Sequence, residues 1–351
     1  MRGPVAHPTG RLALAGTLAC LALGLTAPLA STSLTAQESW VVLVAGLGGT
    51  REYRDEFRGW TEELHRALVE DRGVAPERIR VLGEQPDASP VVEERSTRAN
   101  VLQVLGELAG TVGPEDRVVL VLVGHGTAQG SDAQFNLPGP DLGPEDFAGA
   151  LVAFPTQTLA LIHTGSASGG FLPPLSGENR VVITATRSPR ERNATEFPGF
   201  FVEALSGDGA DLDKDGRVSL LEAFQYANLE TARFYDEEGE ILTEHAVLDD
   251  NGDGEGSRDP GTEAPDGRLA ARIHFGGGTG GAVTGTPAAA VDDPELAALY
   301  AERTAIQEQI DGLRASRDSM EQEAYDDALE QLLVELALKN REIRAAEDGG
   351  R

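Results

Sequence analysis

Cysteine is nearly absent from this chain of 351 residues. The one cysteine, Cys20, lies in an apolar stretch near the N-terminus. That stretch, Leu12–Leu25, follows two arginines, precedes small residues and is too short to cross a bilayer comfortably. The pattern predicts a signal peptide over residues 1–36, cleaved after Ala36. Cleavage would leave no cysteine, which excludes disulfides and a thiol nucleophile.

Long apolar runs are also missing after residue 36. We therefore expect no membrane anchor once the signal is removed, and an exported protein that is secreted or periplasmic. Basic residues are scarce as well, with 29 Lys and Arg against 58 Asp and Glu and a formal charge of −29. That balance argues against nucleic acid or an anionic membrane as a partner and suits a protein that binds cations.

Six apolar residues in a row, Val118–Val123, lead directly into Gly124-His125-Gly126. An unbroken β-branched run is typical of a parallel strand that is covered on both faces. Segments with helical spacing alternate with apolar segments along the first half of the chain, which predicts an α/β fold with a parallel sheet. The predicted strands are Trp40–Gly46, Arg78–Leu82, Val118–Val123, Thr158–Thr164 and Arg180–Thr186.

The position of His125 suggests a role in acid–base catalysis. Open α/β sheets bind ligands at the carboxyl ends of their strands, and histidine titrates near neutral pH. His125 is therefore a candidate general base. The alternative is a turn that contains an incidental histidine.

A second loop, Gly165–Phe171 with the sequence GSASGGF, follows the next predicted strand. A strand that ends in Gly-His-Gly, followed by a strand that ends in a Ser-Gly-containing loop, resembles the caspase/legumain class of cysteine peptidases over roughly residues 40–250. The resemblance implies a three-layer α/β sandwich with a mainly parallel central sheet. It also implies that His125 manages protons and that Ser166 stands where this class has its nucleophilic cysteine.

The serine at this position leaves two functions open. A hydroxyl is far less acidic than a thiol and needs an aligned base, usually with a third group that orients it. The sequence shows no third member, which favours a degenerate peptidase, or pseudoenzyme, that binds a peptide or protein partner. The alternative is an active peptidase or esterase that uses Ser166 with His125 as its base. His163, on the strand before Ser166, is interpreted as a core residue.

The segment Asp211–Glu222, DLDKDGRVSLLE, matches the calcium-binding loop of EF-hand type. Gly216 stands at position 6, where such a loop turns sharply. The alternative is an acidic turn that caps a helix. The predicted calcium ligands are Asp211, Asp213, Asp215, the carbonyl of Arg217, Ser219 and Glu222.

A second acidic turn begins in the same way, with Asp249, Asn251 and Asp253 at positions 1, 3 and 5. It departs from the pattern later, with Gly256 at position 8 and Pro260 at position 12. We interpret it as a partial cation site or a turn, and the sequence does not separate the two.

The α/β domain is predicted to span residues 37–254, and residues 255–293 have the composition of a Gly/Pro-rich linker. Within the linker, Leu269–Phe275 has the pattern of an edge strand. Residues 294–346 contain two amphipathic helices, which predicts a helical hairpin or coiled coil. Such a tail would form a homo-oligomer, dock a partner or pack back on the domain. A third function is therefore a structural scaffold that the tail assembles.

Overall fold

The computed structural model describes residues 37–207, 209–275 and 322–349, and also 298–299, 302–303, 305–306, 309–310 and 313. The predicted signal peptide and residues 276–293 of the predicted linker lie outside the described residues. The strands are β1 (Ser39–Ala45), β2 (Ile79–Gly83), β3 (Glu94–Arg95), β4 (Arg117–Val123), β5 (Gly126–Gln129), β6 (Asp132–Phe135), β7 (Thr158–His163), β8 (Arg180–Thr184) and β9 (Val247–Asp249). The helices are α1 (Arg51–Arg66), α2 (Arg98–Ala109), α3 (Pro144–Leu151), α4 (Leu172–Leu175), α5 (Phe197–Ser206), α6 (Leu220–Glu238) and a C-terminal helix, Gln322–Gly349.

Seven strands form the central sheet in the order β3-β2-β1-β4-β7-β8-β9. All neighbours are parallel except β8 and β9, which are antiparallel. The prediction of an α/β fold with a mainly parallel sheet is therefore confirmed. The run from Val118 to Val123 lies on β4, between β1 and β7, and each of its side chains is buried.

Alternate side chains of the buried strands point to opposite faces of the sheet, as the two-residue period of a strand requires. Val41 and Leu43 pack on one face with residues of α1, α5 and α6. Val42 and Val44 pack on the other face with residues of α2, α3 and α4. The sheet thus lies between two helical layers, and both of its faces are apolar.

Two segments differ from their predicted structure. Residues 126–135, where the sequence predicts no strand, form the antiparallel hairpin β5-β6. Leu269–Phe275 contains a 3-10 turn, Ala270–Arg272, and one isolated bridge from His274 to Ser219 instead of an edge strand. Its residues Ala270, Ile273 and Phe275 are buried in the core. This packing could not be predicted from composition, because the three apolar residues lie within a segment rich in glycine and proline.

The described part of the tail is helical, as predicted. Lys339 on the C-terminal helix forms ion pairs of 2.7 Å with Glu342 on its own helix and with Glu302 on the preceding helical segment. Leu336 and Ile343 on the same helix are buried. These contacts fit a helical hairpin. None of the helices described here combines the length and apolarity that a membrane span requires.

Arg72 fixes the C-terminal end of α5. Its guanidinium donates hydrogen bonds to the carbonyl oxygens of Leu205, Ala204 and Gly207, and the side chain is buried. Free carbonyls at a helix C-terminus attract a cation, because they carry the negative end of the helix dipole.

We expect Arg72→Met to lower the free energy of unfolding by about 2 kcal/mol, measured by urea denaturation. An unchanged midpoint in this variant would contradict the assignment.

Candidate functional site

The chain reverses its direction of winding between β1 and β4. Strands β2 and β3 lie on one side of this pair, and β7, β8 and β9 lie on the other. The carboxyl ends of two such neighbouring strands border the crevice where open α/β sheets bind ligands. Gly46 follows β1 and donates its N–H to the carbonyl oxygen of Val123, 2.8 Å away. His125 therefore lies at the crevice.

The imidazole of His125 packs against two aromatic rings of α1. Its ring centroid lies 4.4 Å from that of Tyr53 and 4.8 Å from that of Phe57, and both pairs are edge to face. This half-burial lowers the pKa of His125 below its ordinary value. Within residues 37–207 and 209–275, no carboxylate is hydrogen-bonded to the ring. Burial thus favours the neutral form of the ring, and within these residues no acidic group orients it.

The loops after β4 and β7 meet without side chains between them. A Cβ on Gly126 would overlap the carbonyl oxygen of Ser166, and one on Gly165 would overlap that of Gly124. Only glycine permits two backbones to approach this closely. The structure therefore brings the two predicted motifs together, and the glycines beside His125 and Ser166 make the contact.

The hydroxyl of Ser166 forms two hydrogen bonds with Gly126. Its Oγ donates to the carbonyl oxygen of Gly126 (3.0 Å) and accepts from the N–H of the same residue (3.2 Å). The side chain is 3% exposed. A hydroxyl that gives its proton to a backbone carbonyl does not give it to an imidazole. In this arrangement Ser166 ties two loops together and is not hydrogen-bonded to His125.

This arrangement makes a prediction for Ser166→Ala. The variant leaves the N–H and carbonyl of Gly126 without their partner in a buried place, so the free energy of unfolding should fall by about 1–2 kcal/mol. Urea denaturation measures the change. Ser131→Ala, at the exposed turn between β5 and β6, serves as the control and should leave stability unchanged. Equal midpoints for Ser166→Ala and the control would contradict the structural role.

His163 is fully buried at the end of β7. Its ring contacts Phe135 and Phe171, with centroid distances of 5.1 and 4.6 Å. Its Nδ1 accepts the N–H of Gly165 (3.2 Å), and burial lowers its pKa to about 3. A ring that stays neutral and inaccessible fits the interpretation of His163 as a core residue.

A shallow cleft, open to solvent, lies beside Phe57. Arg54 and Glu84 line it and are joined by an ion pair of 2.9 Å, while Glu84 also accepts the N–H of Gly48 (3.0 Å). The cleft adjoins the ring that packs on His125. It gives this edge of the sheet a concave surface with both charged and apolar walls.

The loop after α5 brings the predicted calcium ligands together. One carboxylate oxygen from each of Asp211, Asp213 and Asp215 lies within 4.8 Å of the others. Oδ1 of Asp211 is buried without a hydrogen-bond partner. Burial, together with the neighbouring carboxylates, raises the pKa of Asp211 to about 6. An unpaired oxygen among converging carboxylates is the donor set that a hard cation prefers.

Glu222 closes the same loop from the first turn of α6. Its Oε1 accepts the N–H groups of Leu212 and Asp213 (3.0 and 3.2 Å), and its Oε2 accepts the N–H and Oγ of Ser219 (both 2.8 Å). Burial raises the pKa of Glu222. The position-12 carboxylate therefore already reaches the first residues of the loop, and the residues present fit a calcium ion.

The second acidic turn repeats the beginning of the first. Asp249 Oδ2 accepts the N–H of Gly254 (3.0 Å), as Asp211 Oδ2 accepts that of Gly216 (2.9 Å). Asn251 Oδ1 likewise accepts the N–H of Asp253 (2.8 Å). Among the residues described, however, three acidic groups within 4.8 Å occur only in the first loop. The second turn satisfies its oxygens with its own backbone, which fits a turn as well as a partial site.

The calcium-type loop lies far from the histidine along the strands. Ser219 bridges to His274, whose carbonyl accepts a hydrogen bond of 3.1 Å from Arg117. Arg117 begins β4, whereas His125 follows its end. The loop is therefore at the amino edge of the sheet and the His125–Ser166 contact is at the carboxyl edge. A cation in the loop would not touch groups at the carboxyl edge.

A cluster of charged side chains at the carboxyl edge was not predicted from the sequence. Glu191 accepts hydrogen bonds from Arg187 and from His245, which is 54 residues away in sequence. The carbonyl of Glu191 also accepts the N–H of Ala167 (2.7 Å), next to Ser166. No local motif marks these residues, because the antiparallel strand β9 brings His245 back to the edge. The only available signal was the run of arginines after β8.

Solved structures of three proteins resemble parts of this chain. Protein GSU0716 from Geobacter sulfurreducens is 14% identical, with a TM-score of 0.37 over 55% of this chain and 89% of that one. The protein drICE is 8% identical, with a TM-score of 0.39 over 62% of this chain and 90% of its own. The Drosophila initiator caspase Dronc is 8% identical, with a TM-score of 0.39 over 65% and 88%. No protein-family model and no curated protein matches the chain.

Proposed function

We propose that this chain is an exported, calcium-stabilised protein of caspase/legumain-like fold that has lost peptidase chemistry and binds a peptide or protein partner. The observation that carries the proposal is the pair of hydrogen bonds between Ser166 and Gly126. A serine nucleophile needs its hydrogen on the side of the base, and a third group that fixes the base. Here the proton goes to a carbonyl, and the ring of His125 has aromatic neighbours instead of a carboxylate.

Binding of a partner requires a surface that does not depend on peptidase activity. The carboxyl edge offers the cleft beside Phe57, lined by Arg54 and Glu84. It combines apolar side chains with the Arg54–Glu84 ion pair. A peptide can use both kinds of wall, which supports a peptide or protein partner for this edge.

Calcium is proposed as a structural cofactor. Asp211, Asp213, Asp215, Glu222, the carbonyl of Arg217 and, through water, Ser219 would hold it. The ion would supply positive charge that neutralises the converging carboxylates. Because the loop is at the amino edge of the sheet, this proposal gives calcium no part in chemistry at His125. Self-association through residues 294–346 stays a prediction.

Active-site labelling tests the proposal. The purified, calcium-loaded protein is treated with a fluorophosphonate, which forms a covalent bond with activated serines, and the product is read by mass spectrometry. We expect no label on Ser166 while circular dichroism shows a folded protein. A label on Ser166 that disappears in His125→Ala would overturn the proposal and establish the hydrolase alternative.

A further inference from the structure

The carboxylate of Glu191 holds His245 in one orientation. Oε1 lies 2.9 Å from Nδ1 of His245, and Oε2 accepts the backbone N–H of the same residue (3.2 Å). Arg187 donates to both oxygens, from Nε (3.0 Å) and from its backbone N–H (3.1 Å). An ionised carboxylate only accepts hydrogen bonds, so Nδ1 of His245 must carry the proton, and the lone pair of the neutral ring is at Nε2.

That lone pair is accessible. The side chain of His245 is 20% exposed, and its Nε2 is not among the buried side-chain atoms that lack a hydrogen-bond partner. Across residues 37–207 and 209–275, no group is hydrogen-bonded to this nitrogen. The ring therefore presents a free nucleophilic nitrogen to solvent, while its other nitrogen is fixed by a carboxylate.

Two other histidines at this edge lack this combination. His125 has no carboxylate partner, and His163 is buried with Nδ1 already bonded to Gly165. His245 precedes β9, whose Val247 pairs with the last residue of β8, Thr184, so His245 lies beyond the carboxyl end of the sheet. A carboxylate that fixes the tautomer and orientation of an exposed imidazole is the arrangement in which histidine acts on a substrate.

We propose that His245, positioned by Glu191, is a nucleophilic imidazole that hydrolyses activated carboxylic esters at this edge. Nε2 forms a bond to the ester carbonyl carbon, and the bond from that carbon to the aryl oxygen breaks, releasing the phenolate. The proton on Nδ1 passes to Glu191, which leaves a neutral acyl-imidazole. Water then attacks the acyl carbon, the carbon–nitrogen bond breaks as Glu191 returns its proton to Nδ1, and both protons of the water pass to solvent, which leaves the carboxylate and the neutral imidazole.

Amide bonds are outside this reaction. Imidazole leaves a tetrahedral adduct far more readily than an amide nitrogen does, so attack on a peptide reverses without cleavage. The activity is thus compatible with a chain that has no peptidase function, and it does not depend on Ser166. Failure of one proposal leaves the other standing, because they assign different residues.

Hydrolysis of p-nitrophenyl acetate by the purified protein tests the assignment. We expect His245→Gln to lower kcat/KM by about tenfold or more. We expect Glu191→Gln to lower kcat and Glu191→Asp to retain part of it, which a merely structural role would not produce. His65→Gln, on the outer helix α1, is the matched control and should leave the rate unchanged. A rate that survives His245→Gln, or that falls instead with Ser166→Ala or His125→Ala, would overturn the proposal.

A second measurement needs no variant of His245. Diethyl pyrocarbonate acylates neutral, accessible imidazole nitrogens, and mass spectrometry locates the adduct. In the folded protein we expect His245 to react faster than His125, His163 to stay unmodified, and Glu191→Gln to slow the reaction at His245. Protection of His245, or a faster reaction at His125, would contradict the free nitrogen on which the proposal rests.

Discussion

Calcium at about 1,000 times its dissociation constant should stabilise this chain by about 4 kcal/mol and raise its melting temperature by roughly 10 °C. The physical reason is the repulsion between carboxylates that converge in the calcium-free loop. Oxygens of Asp211, Asp213 and Asp215 lie within 4.8 Å of one another, and burial, with smaller contributions from the neighbouring carboxylates, raises the pKa of Asp211 to about 6. A bound cation converts that repulsion into attraction in the folded state alone. Differential scanning calorimetry with calcium and with chelator measures the shift.

Two variants locate the effect. Glu222→Gln removes the charge at position 12, where the carboxylate reaches the start of the loop, and should abolish the calcium shift. Asp211→Asn should abolish it as well, and in chelator it should be more stable than the parent, because it removes a charge that burial and the neighbouring carboxylates both disfavour.

Asp253→Asn is the control, because Asp253 stands at position 5 of the second turn, as Asp215 does in the first. This variant should keep the full shift. Loss of the shift in Asp253→Asn with retention in Glu222→Gln would place the ion in the second turn and contradict the proposal for the first.

The sheet could be predicted from the sequence because its physics is local. A run of β-branched residues such as Val118–Val123 has few ways to bury both faces, and the alternation with helical segments fixes a parallel sheet. The hairpin β5-β6 and the packing of residues 269–275 could not be predicted in the same way. Their stability comes from contacts such as that of Ile273 with Leu220, which are distant in sequence.

In the candidate site, too, residues that share a local motif could be predicted, and residues that only the fold brings together could not. His125 and Ser166 lie in short motifs at strand ends, and the structure places their loops in contact. The direction of the Ser166 hydroxyl depends on Gly126 and has no sequence signal. Glu191 and His245 come from separate loops, so only the fold joins them. The calcium ligands, by contrast, share one loop of twelve residues with fixed spacing, and their convergence was therefore readable from sequence.

Glu244 is a buried acid at the N-terminal end of α5. Its side chain accepts the N–H groups of Glu196 (2.7 Å) and Phe197 (3.3 Å) and the hydroxyl of Tyr235 (3.2 Å), and the residue is 3% exposed. Burial, with a smaller contribution from the charge of Glu196, raises its pKa to about 7 despite these hydrogen bonds. The carboxyl of Glu196 also has a raised pKa, through burial and the charge of Glu240. The groups that face Glu244 are therefore acidic or neutral.

A raised pKa makes the folded state bind more protons than the unfolded state between pH 4.5 and about 7. Stability from this group is therefore fully present below pH 4.5 and is lost as the pH rises through about 7, by about 3 kcal/mol in total. Glu244→Gln should abolish this loss, apart from a constant cost for the altered hydrogen bonds. Relative to the parent, the variant should thus gain about 3 kcal/mol between pH 5 and pH 8, measured by urea denaturation at fixed calcium.

Glu238→Gln, exposed at the end of α6, is the control, and its free energy of unfolding should change with pH in parallel with that of the parent. A parallel curve for Glu244→Gln would instead mean that the carboxylate is stabilised by its helix N–H partners as well as water would stabilise it, and that α5 is capped without any dependence on pH.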